Sequence, residues 1–381
     1  MTLIYILAGE ASGDLLGGRL MAALRRRRPD LTFAGVGGER MAEQGLHSLF
    51  PMQELALMGL LEVLPKLRNL KRRMAQVEAD ILARRPAVLV TIDAPSFTLR
   101  VAEKVRPSGI KVVHYVAPQL WAWRPGRIEK LKRRVDAVLA LLPFEPAFFQ
   151  AHGMAVRFVG HPVLEGGADQ GDAARFRARH NIAPHERVVI VMPGSRRGEI
   201  SRMLPVFGET LRLLATKVPH LRPVLPLAGT VAEAVRAGIA NWPVPPLVVT
   251  TPEDKHDAFA AAEVGLIKSG TSSLEVALAG LPHVVGYRMN PITAAIVLRL
   301  VQVPFASIVN LLAERAVAPE FIQNDCTPPK LAAALLHLLH NPEAAAAQRT
   351  GFAAVMGQLR PAEGLPSEAA AAAVLELLPP G

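Results

Sequence analysis

A single cysteine, Cys326, in 381 residues leaves no second thiol for an internal disulfide and no thiolate set for a structural zinc site, which points to a reducing compartment. Aromatic side chains are also scarce. Phe, Trp and Tyr make up 5% of the chain and no basic stripe is interleaved with them as base-stacking surfaces require, so no nucleic-acid partner is expected. No apolar run approaches the length needed to cross a bilayer, so any membrane contact has to be peripheral. Residues 2–8 are apolar but short, lack a basic flank and run into Gly9-Glu10, so they read as a first strand and not as a secretory signal. No Asp-x-Asp pair or histidine cluster offers a seat for a divalent cation. What is abundant is positive charge: the formal net charge of +10 and a pI of about 10.1 favour an acidic partner, either an anionic membrane surface or a phosphorylated substrate. With half its residues hydrophobic, the chain is long enough for two domains with full cores.

The stretch Lys268-Ser269-Gly270-Thr271-Ser272-Ser273-Leu274-Glu275 lies between a compact apolar strand (264–267) and an apolar helix that stops near Gly280 and Pro282. Small hydroxylated residues and a glycine let the backbone approach a ligand, and the first N–H groups of a helix lack internal partners and carry the positive dipole end. A diphosphate fits such a turn, and Glu275, one turn inside the helix, could accept hydrogen bonds from the vicinal hydroxyls of a ribose. The same residues also fit a plain helix cap, with Glu275 closing a capping box.

Along the chain, a strand at 3–8 leads into Gly9-Glu10-Ala11-Ser12-Gly13-Asp14 and a helix from Leu15 to about Arg28. This is a βα unit whose glycine spacing is not GxGxxG, so a nicotinamide site is a poor match. A second strand and turn follow at 33–39. From 57 to 74, Leu57, Leu60, Leu61, Leu64, Leu67, Leu70 and Met74 recur at helical spacing, with Lys66, Arg68, Lys71, Arg72 and Arg73 on the remainder. Pro65 is expected to split this segment into two short pieces. Its leucine stripe fits either core packing or a membrane interface. A buried strand at 88–92 ends in Asp93, a carboxylate at the strand edge that faces the ligand crevice in parallel α/β sheets; it is a candidate base, with helix capping as the alternative and Ser96 as a competing cap. After the strand at 111–117, Trp121, Trp123 and Arg124 suggest a cleft lip or core filling. Strands at 137–142 and 156–159 complete a first sheet. A change of composition around 160–171 marks a linker, after which 187–192, 224–228, 247–250, 264–267 and 283–287 form a second series of strands. The turn Pro193-Gly194-Ser195-Arg196-Arg197-Gly198-Glu199 places an arginine where a leaving diphosphate needs bidentate charge. Alanine- and leucine-rich helices run from 329 to the end.

Taken together, AGEASGD (8–14), IDAP (92–95), HYVAPQLWAWR (114–124), LPFE (142–145), FVGHP (158–162), PGSR (193–196), SGTSSLE (269–275), VGYRM (285–289) and NLL (310–312) resemble the lipid-A-disaccharide synthase family over nearly the whole chain. The resemblance implies an α/β architecture of two Rossmann-like domains facing a cleft, the GT-B glycosyltransferase arrangement. The acceptor domain would span 1–165, the UDP-sugar domain 166–345, and the helices of 346–381 would return to the N-terminal domain. The implied reaction transfers 2,3-diacylglucosamine from its UDP donor to 2,3-diacylglucosamine 1-phosphate, giving a β-1,6-linked tetraacyl disaccharide 1-phosphate and UDP. By the same resemblance Asp93 falls on the proposed base and Glu10 on a second acidic residue important to activity. Arg196, Glu275, Asn310 and Gln323 fall on positions associated with donor binding or activity. Ser12, Gly13, Ser195, Ser269, Gly270 and Thr271, in the glycine-containing turns, are further donor-side candidates, and Leu60, Leu61, Leu64, Leu67 and Leu70 of the basic leucine stripe, with Met203, are candidate membrane or acyl contacts. No cofactor is implied, an oligomer is left open, and the expected location is cytoplasmic, peripheral on the inner face of the bacterial inner membrane.

The chain departs from the family pattern in two places. Ser96-Phe97-Thr98 stands where Asp-Phe-Asn is common, which puts an acceptor contact there in doubt, and Glu314 stands where glycine is usual, beside a loop expected near the donor. The chemistry needs only one carboxylate, because a nucleoside diphosphate leaves without a general acid, and helix termini with an arginine can stabilise it without metal. A UDP-sugar 2-epimerase on the same architecture is the runner-up, and a non-catalytic basic adaptor at anionic membrane a third reading.

Overall fold

A computed structural model of the chain describes residues 2–55, 63–123, 125–227, 229–290, 294 and 303–378. The chain divides into two compact units, one of Met1–Pro162 with Leu359–Gly381 and the other of Val163–Gln358. The last crossing therefore falls at Leu359 and not at 346, because helix Pro342–Gln358 packs with helices Ser272–Leu278 and Ile308–Ala313 of the second unit. Only helix Pro366–Leu375 returns to the first unit, where Ala370, Ala371 and Val374 join its core.

The first unit is a six-stranded parallel sheet of β1 (Leu3–Ala8), β2 (Thr32–Val36), β3 (Val88–Ile92), β4 (Lys111–Tyr115), β5 (Ala137–Ala140) and β6 (Ala155–Phe158), in the order β2-β1-β3-β4-β5-β6. The inner strands β1, β3 and β5 are short and mostly apolar because helices cover both faces, and Ile4 to Ala8 expose nothing. β1 pairs with β2 on one side and β3 on the other, so the chain reverses direction across the sheet between β1 and β3. That reversal opens a crevice at their carboxyl ends, where the turns after Ala8 and Ile92 lie.

The second unit repeats the plan with β7 (Arg187–Met192), β8 (Leu221–Pro226), β9 (Leu247–Val249), β10 (Val264–Lys268), β11 (His283–Tyr287) and β12 (Glu320–Ile322), ordered β12-β11-β10-β7-β8-β9 and parallel throughout. Its switch point falls between β7 and β10, which puts the 193–196 and 269–271 turns side by side. β12 is only three residues long and carries no alternation that the sequence could reveal.

Two helices differ from their expected form. Helix Ala11–Arg27 begins before Leu15, and Gly13 lies within its first turn, packed against Ala8 and Ile92, where a β-carbon would meet both at 3.4 Å. The expected piece before Pro65 falls largely in residues 57–62, outside the described residues. Helix Val63–Arg84 is continuous, because proline in a first turn gives up an N–H that has no intrahelical partner anyway. Leu70, Met74, Val77 and Ile81 of that helix are buried in the first unit's core, so Leu70 is a packing residue and not a membrane contact. Met203 is likewise corrected: it exposes nothing, belongs to the second unit's core, and its sulfur accepts the Arg288 N–H. Leu57, Leu60 and Leu61 lie outside the described residues, as do the side chains of Leu64 and Leu67. Among the described residues no helix is long and apolar enough to cross a membrane.

Candidate active site

In the first unit, the strand edge at the β1/β3 crevice carries an unusual backbone. Asp93 and Ala94 are successive non-glycine residues in the left-handed region, at φ 45° and 43°, and Val116, just beyond β4, sits at φ 79°. A β-branched residue there is a steric outlier, and such strain concentrates where the surrounding structure holds a functional group in place. The Asp93 N–H donates to Tyr115 O at 3.0 Å, while its carboxylate is half-buried and has no hydrogen-bond or ion-pair partner among the described residues. Helix Thr98–Val105 receives no side-chain cap, so neither Asp93 nor Ser96 caps it. The turn after β1 meets this one closely: a β-carbon on Gly9 would lie 2.7 Å from that of Ala94. Glu10 and Ser12 are exposed at the start of helix Ala11–Arg27. Asp14, one turn further on, is buried and accepts from the N–H groups of Gly38, Arg40 and Met41 at 2.7, 3.0 and 3.1 Å, so the last residue of AGEASGD anchors the neighbouring turn.

The tryptophan loop is anchored as well. Trp121 Nε1 donates to Glu145 Oε1 at 3.1 Å, its ring meets Phe144 edge-on, and Glu145 Oε2 accepts from the Leu141 and Leu142 N–H groups at 3.0 Å each. Burial pushes the Glu145 carboxyl up to about 7, against the pull of those N–H donors.

In the second unit the two switch-point turns share a charge network. Gly194 (φ 126°) and Gly270 (φ 154°) adopt backbone conformations closed to side chains, and a β-carbon on Gly194 would meet Glu199 Oε2 at 2.7 Å. Glu199 stands in the first turn of helix Arg197–Ala215. It accepts the Ser195 N–H at 3.3 Å, pairs with Lys268 Nζ at 2.9 Å, and lies 3.5 Å from Arg196, whose guanidinium is otherwise open to solvent. Burial pushes its carboxyl up, but Lys268 and the Ser195 N–H outweigh it and hold the group below the ordinary carboxylate value. Lys268 Nζ also sits 4.9 Å from the Tyr287 ring.

The capping reading of the 269–275 stretch fails. Thr271, the residue preceding helix Ser272–Leu278, makes no side-chain cap bond and is exposed, while Ser269 donates to Ala306 O and Ser273 to Gly270 O, each at 2.7 Å. The Glu275 carboxylate turns instead to Lys255 and to His256 Nε2 at 3.4 Å, both through Oε1; its Oε2 has no partner among the described residues. Burial raises the Glu275 carboxyl, and the hydrogen bond to His256 with the charge and hydrogen bond of Lys255 outweigh it, so the net displacement is downward. Ser195, Thr250, Thr251, Lys255, Ser272 and Glu275 line a cavity of about 280 Å³ at this edge. Lys255 and His256 lie on helix Pro252–Ala261 and had no distinguishing sequence signal beyond the Thr251-Pro252 helix start.

Gln323 follows β12 in the left-handed region, at φ 54°, and its buried Nε2 and the buried Ser307 Oγ beside Ala306 have no hydrogen-bond partner among the described residues. Asn310 is different. It exposes nothing, its Oδ1 accepts from the Val317 and Ala318 N–H groups, and its Nδ2 donates to Ala318 O and Glu320 Oε1. With no polar capacity left for a ligand, Asn310 is a structural residue and not a donor contact. Glu314 ends helix Ile308–Ala313 at φ 53°, which accounts for the glycine usual there. Among the described residues no group of three or more His, Cys, Asp or Glu side chains is placed to hold a metal ion.

Among solved structures, the chain is similar to S. aureus MnaA in complex with UDP, with a TM-score of 0.66 at 13% identity over 97% of this chain and 94% of that one. It is also similar to the UDP-GlcNAc 2-epimerase from Neisseria meningitidis bound to UDP-GlcNAc, with a TM-score of 0.63 at 11% identity and 99% coverage of both. At these identities the likeness is one of fold, and it supplies no ground for the epimerase reading. Sequence comparison is more specific. The lipid-A-disaccharide synthase of Gluconobacter oxydans is 54% identical over 98% of this chain and 90% of its own length, and that of Granulibacter bethesdensis is 52% identical over 99% and 98%. The family described as lipid-A-disaccharide synthetase matches residues 4–374, spanning both sheets and both switch points, and the chain belongs to that family.

Proposed function

We propose how this glycosyltransferase of lipid A biosynthesis divides its reaction between the two switch points. The reaction is transfer of 2,3-diacylglucosamine from its UDP donor to 2,3-diacylglucosamine 1-phosphate. Asp93 accepts the proton of the acceptor's 6-hydroxyl as that oxygen attacks the donor's anomeric carbon. The bond from that carbon to UDP breaks, its electron pair leaves on the diphosphate, and inversion yields the β-1,6 link. Arg196, with the 193–196 and 269–271 turns, takes the departing charge, and the vacant Oε2 of Glu275 receives ribose hydroxyls. Glu10, Ser12 and Gly13 border the crevice of the first unit, and Gln323 offers an unpaired donor at the end of β12. The observation that carries this reading is the Asp93 carboxylate: half-buried, without a partner among the described residues, and presented on strained backbone at a strand edge.

The test is to incubate the purified chain with both diacyl substrates and follow disaccharide and UDP. Asp93→Asn is expected to lower turnover by about 10² to 10⁴ while UDP affinity stays unchanged. A variant that keeps more than half the wild-type rate would remove Asp93 from the chemistry. Strong inhibition by EDTA, reversed by magnesium or manganese, would overturn the metal-free account of UDP departure.

The acyl chains of both substrates call for a membrane surface. On helix Val63–Arg84 the side opposite the core exposes Arg68, Lys71 and Arg72, whereas Arg73 is committed to Glu54 at 2.6 Å. These three cations, with the leucines of residues 60–67, form the proposed peripheral contact with anionic lipid.

A further inference from the structure

We propose that Thr98 is the positioning residue for the base: its hydroxyl fixes the left-handed turn that presents Asp93. This rests on the reading of Asp93 as the base. Thr98 exposes no surface, which rules out the acceptor contact that a polar residue at this place suggests. Its Oγ1 lies 2.6 Å from Asp93 O and 3.1 Å from Ala94 O, and the single hydroxyl proton goes to the nearer carbonyl. The two carbonyls are not equally dependent on it. Ala94 O also accepts from the Phe97 and Thr98 N–H groups at 3.0 and 3.1 Å, whereas the hydroxyl is the only donor to Asp93 O among the described residues.

Asp93 is therefore held at both ends of its backbone, by Tyr115 O at its N–H and by Thr98 at its carbonyl. Two successive left-handed residues do not persist on their own. Ala94 has no side chain that could hold the turn locally, and it is backed on its other side by Gly9. Removing the hydroxyl frees the Asp93 carbonyl to rotate, and the carboxylate on the same residue moves with it. A general base displaced by about 1 Å loses on the order of 10² in rate while substrate affinity, set elsewhere, is retained.

Four variants assayed with both diacyl substrates test this: Thr98→Val, Thr98→Ser, Asp93→Asn and the Thr98→Val/Asp93→Asn double variant, each checked for fold by circular dichroism and thermal melting. Thr98→Val is expected to lower kcat by about 10- to 100-fold with KM within about twofold of wild type, and Thr98→Ser, which keeps the donor, to restore most of the rate. In the Asp93→Asn background Thr98→Val should remove little more, because the group it positions is already inactive. Should Thr98→Val fail to fold, Thr98→Ala takes its place in the same comparison. A folded Thr98→Val enzyme that keeps more than half its kcat, raises KM alone, or slows both backgrounds equally overturns the assignment. Asp93→Asn at the wild-type rate would instead overturn the base itself, whereas slow Asp93→Asn beside fast Thr98→Val removes only Thr98.

Discussion

Asn310→Ala separates what the family pattern implies from what the structure shows. If the amide touched the donor, truncation would weaken nucleotide binding and leave stability nearly alone. The structure predicts the reverse. Oδ1 receives two N–H bonds at 2.9 Å, from Val317 and Ala318, and Nδ2 gives two bonds at 2.7 Å, to Ala318 O and Glu320. Truncation strips partners from two backbone groups, the Ala318 N–H and carbonyl, while the Val317 N–H keeps Arg315 O at 3.0 Å and Glu320 keeps the Ala306 and Ser307 N–H groups at 2.8 Å each. Each buried polar group left unpaired costs about 1 to 3 kcal/mol, and water entering the vacated space recovers part of that. The lower end of the sum over the two groups, about 2 kcal/mol, is the expected loss. Urea unfolding of wild type and variant, followed by a probe in the second unit, gives the midpoint and slope, and calorimetric titration with UDP under folded conditions gives the affinity. A lower midpoint with unchanged slope and a UDP Kd within about threefold of wild type is the expected result. An unmoved midpoint with UDP affinity down tenfold would refute the reasoning and return Asn310 to the donor site.

Glu275→Gln removes the charge that holds Lys255 and His256 and weakens an acceptor for ribose hydroxyls, so UDP binding measured by titration should fall by about tenfold or more. Because partners hold the Glu275 carboxyl below its ordinary value, the stability this pair contributes is fully present above the ordinary carboxylate pKa and is lost as pH falls through the lowered one; thermal melts of wild type and Glu275→Gln should converge on acidification. Glu314→Gly relieves an exposed residue held at φ 53° and should stabilise the second unit by about 1 kcal/mol, read as a higher urea midpoint. Replacing Leu60, Leu61, Leu64 and Leu67 together by Ser should lower binding to anionic vesicles, and high salt should release only part of the bound wild type, since hydrophobic insertion resists screening and basic attraction does not. A folded quadruple variant that binds as tightly as wild type would take these leucines out of the membrane contact.

The sequence by itself determined the two series of strands, because strands covered on both faces are near-continuous apolar runs and β1, β3, β7 and β10 come close to such runs. It also determined the turns at 193–196 and 269–271, where Gly194 and Gly270 mark backbone that no side chain could adopt, and the family motifs placed Asp93 at a strand edge. Tertiary structure alone decided which of the singled-out residues face a ligand. Asn310 and Met203 sit in segments whose local pattern is the same whether they point outward or inward, and only the packing of Val317, Ala318 and Glu320 around one, and of a hydrophobic core around the other, buries them. The pairing of Glu275 with Lys255, of Glu199 with Lys268, and of Thr98 with the Asp93 carbonyl depends on how turns from different strands meet at a switch point, and no periodicity along the chain encodes that meeting. Left-handed Asp93 and Ala94 were invisible for the same reason: nothing in an Asp-Ala-Pro sequence demands that backbone, and it persists because Tyr115, Gly9 and Thr98 close on it from three sides.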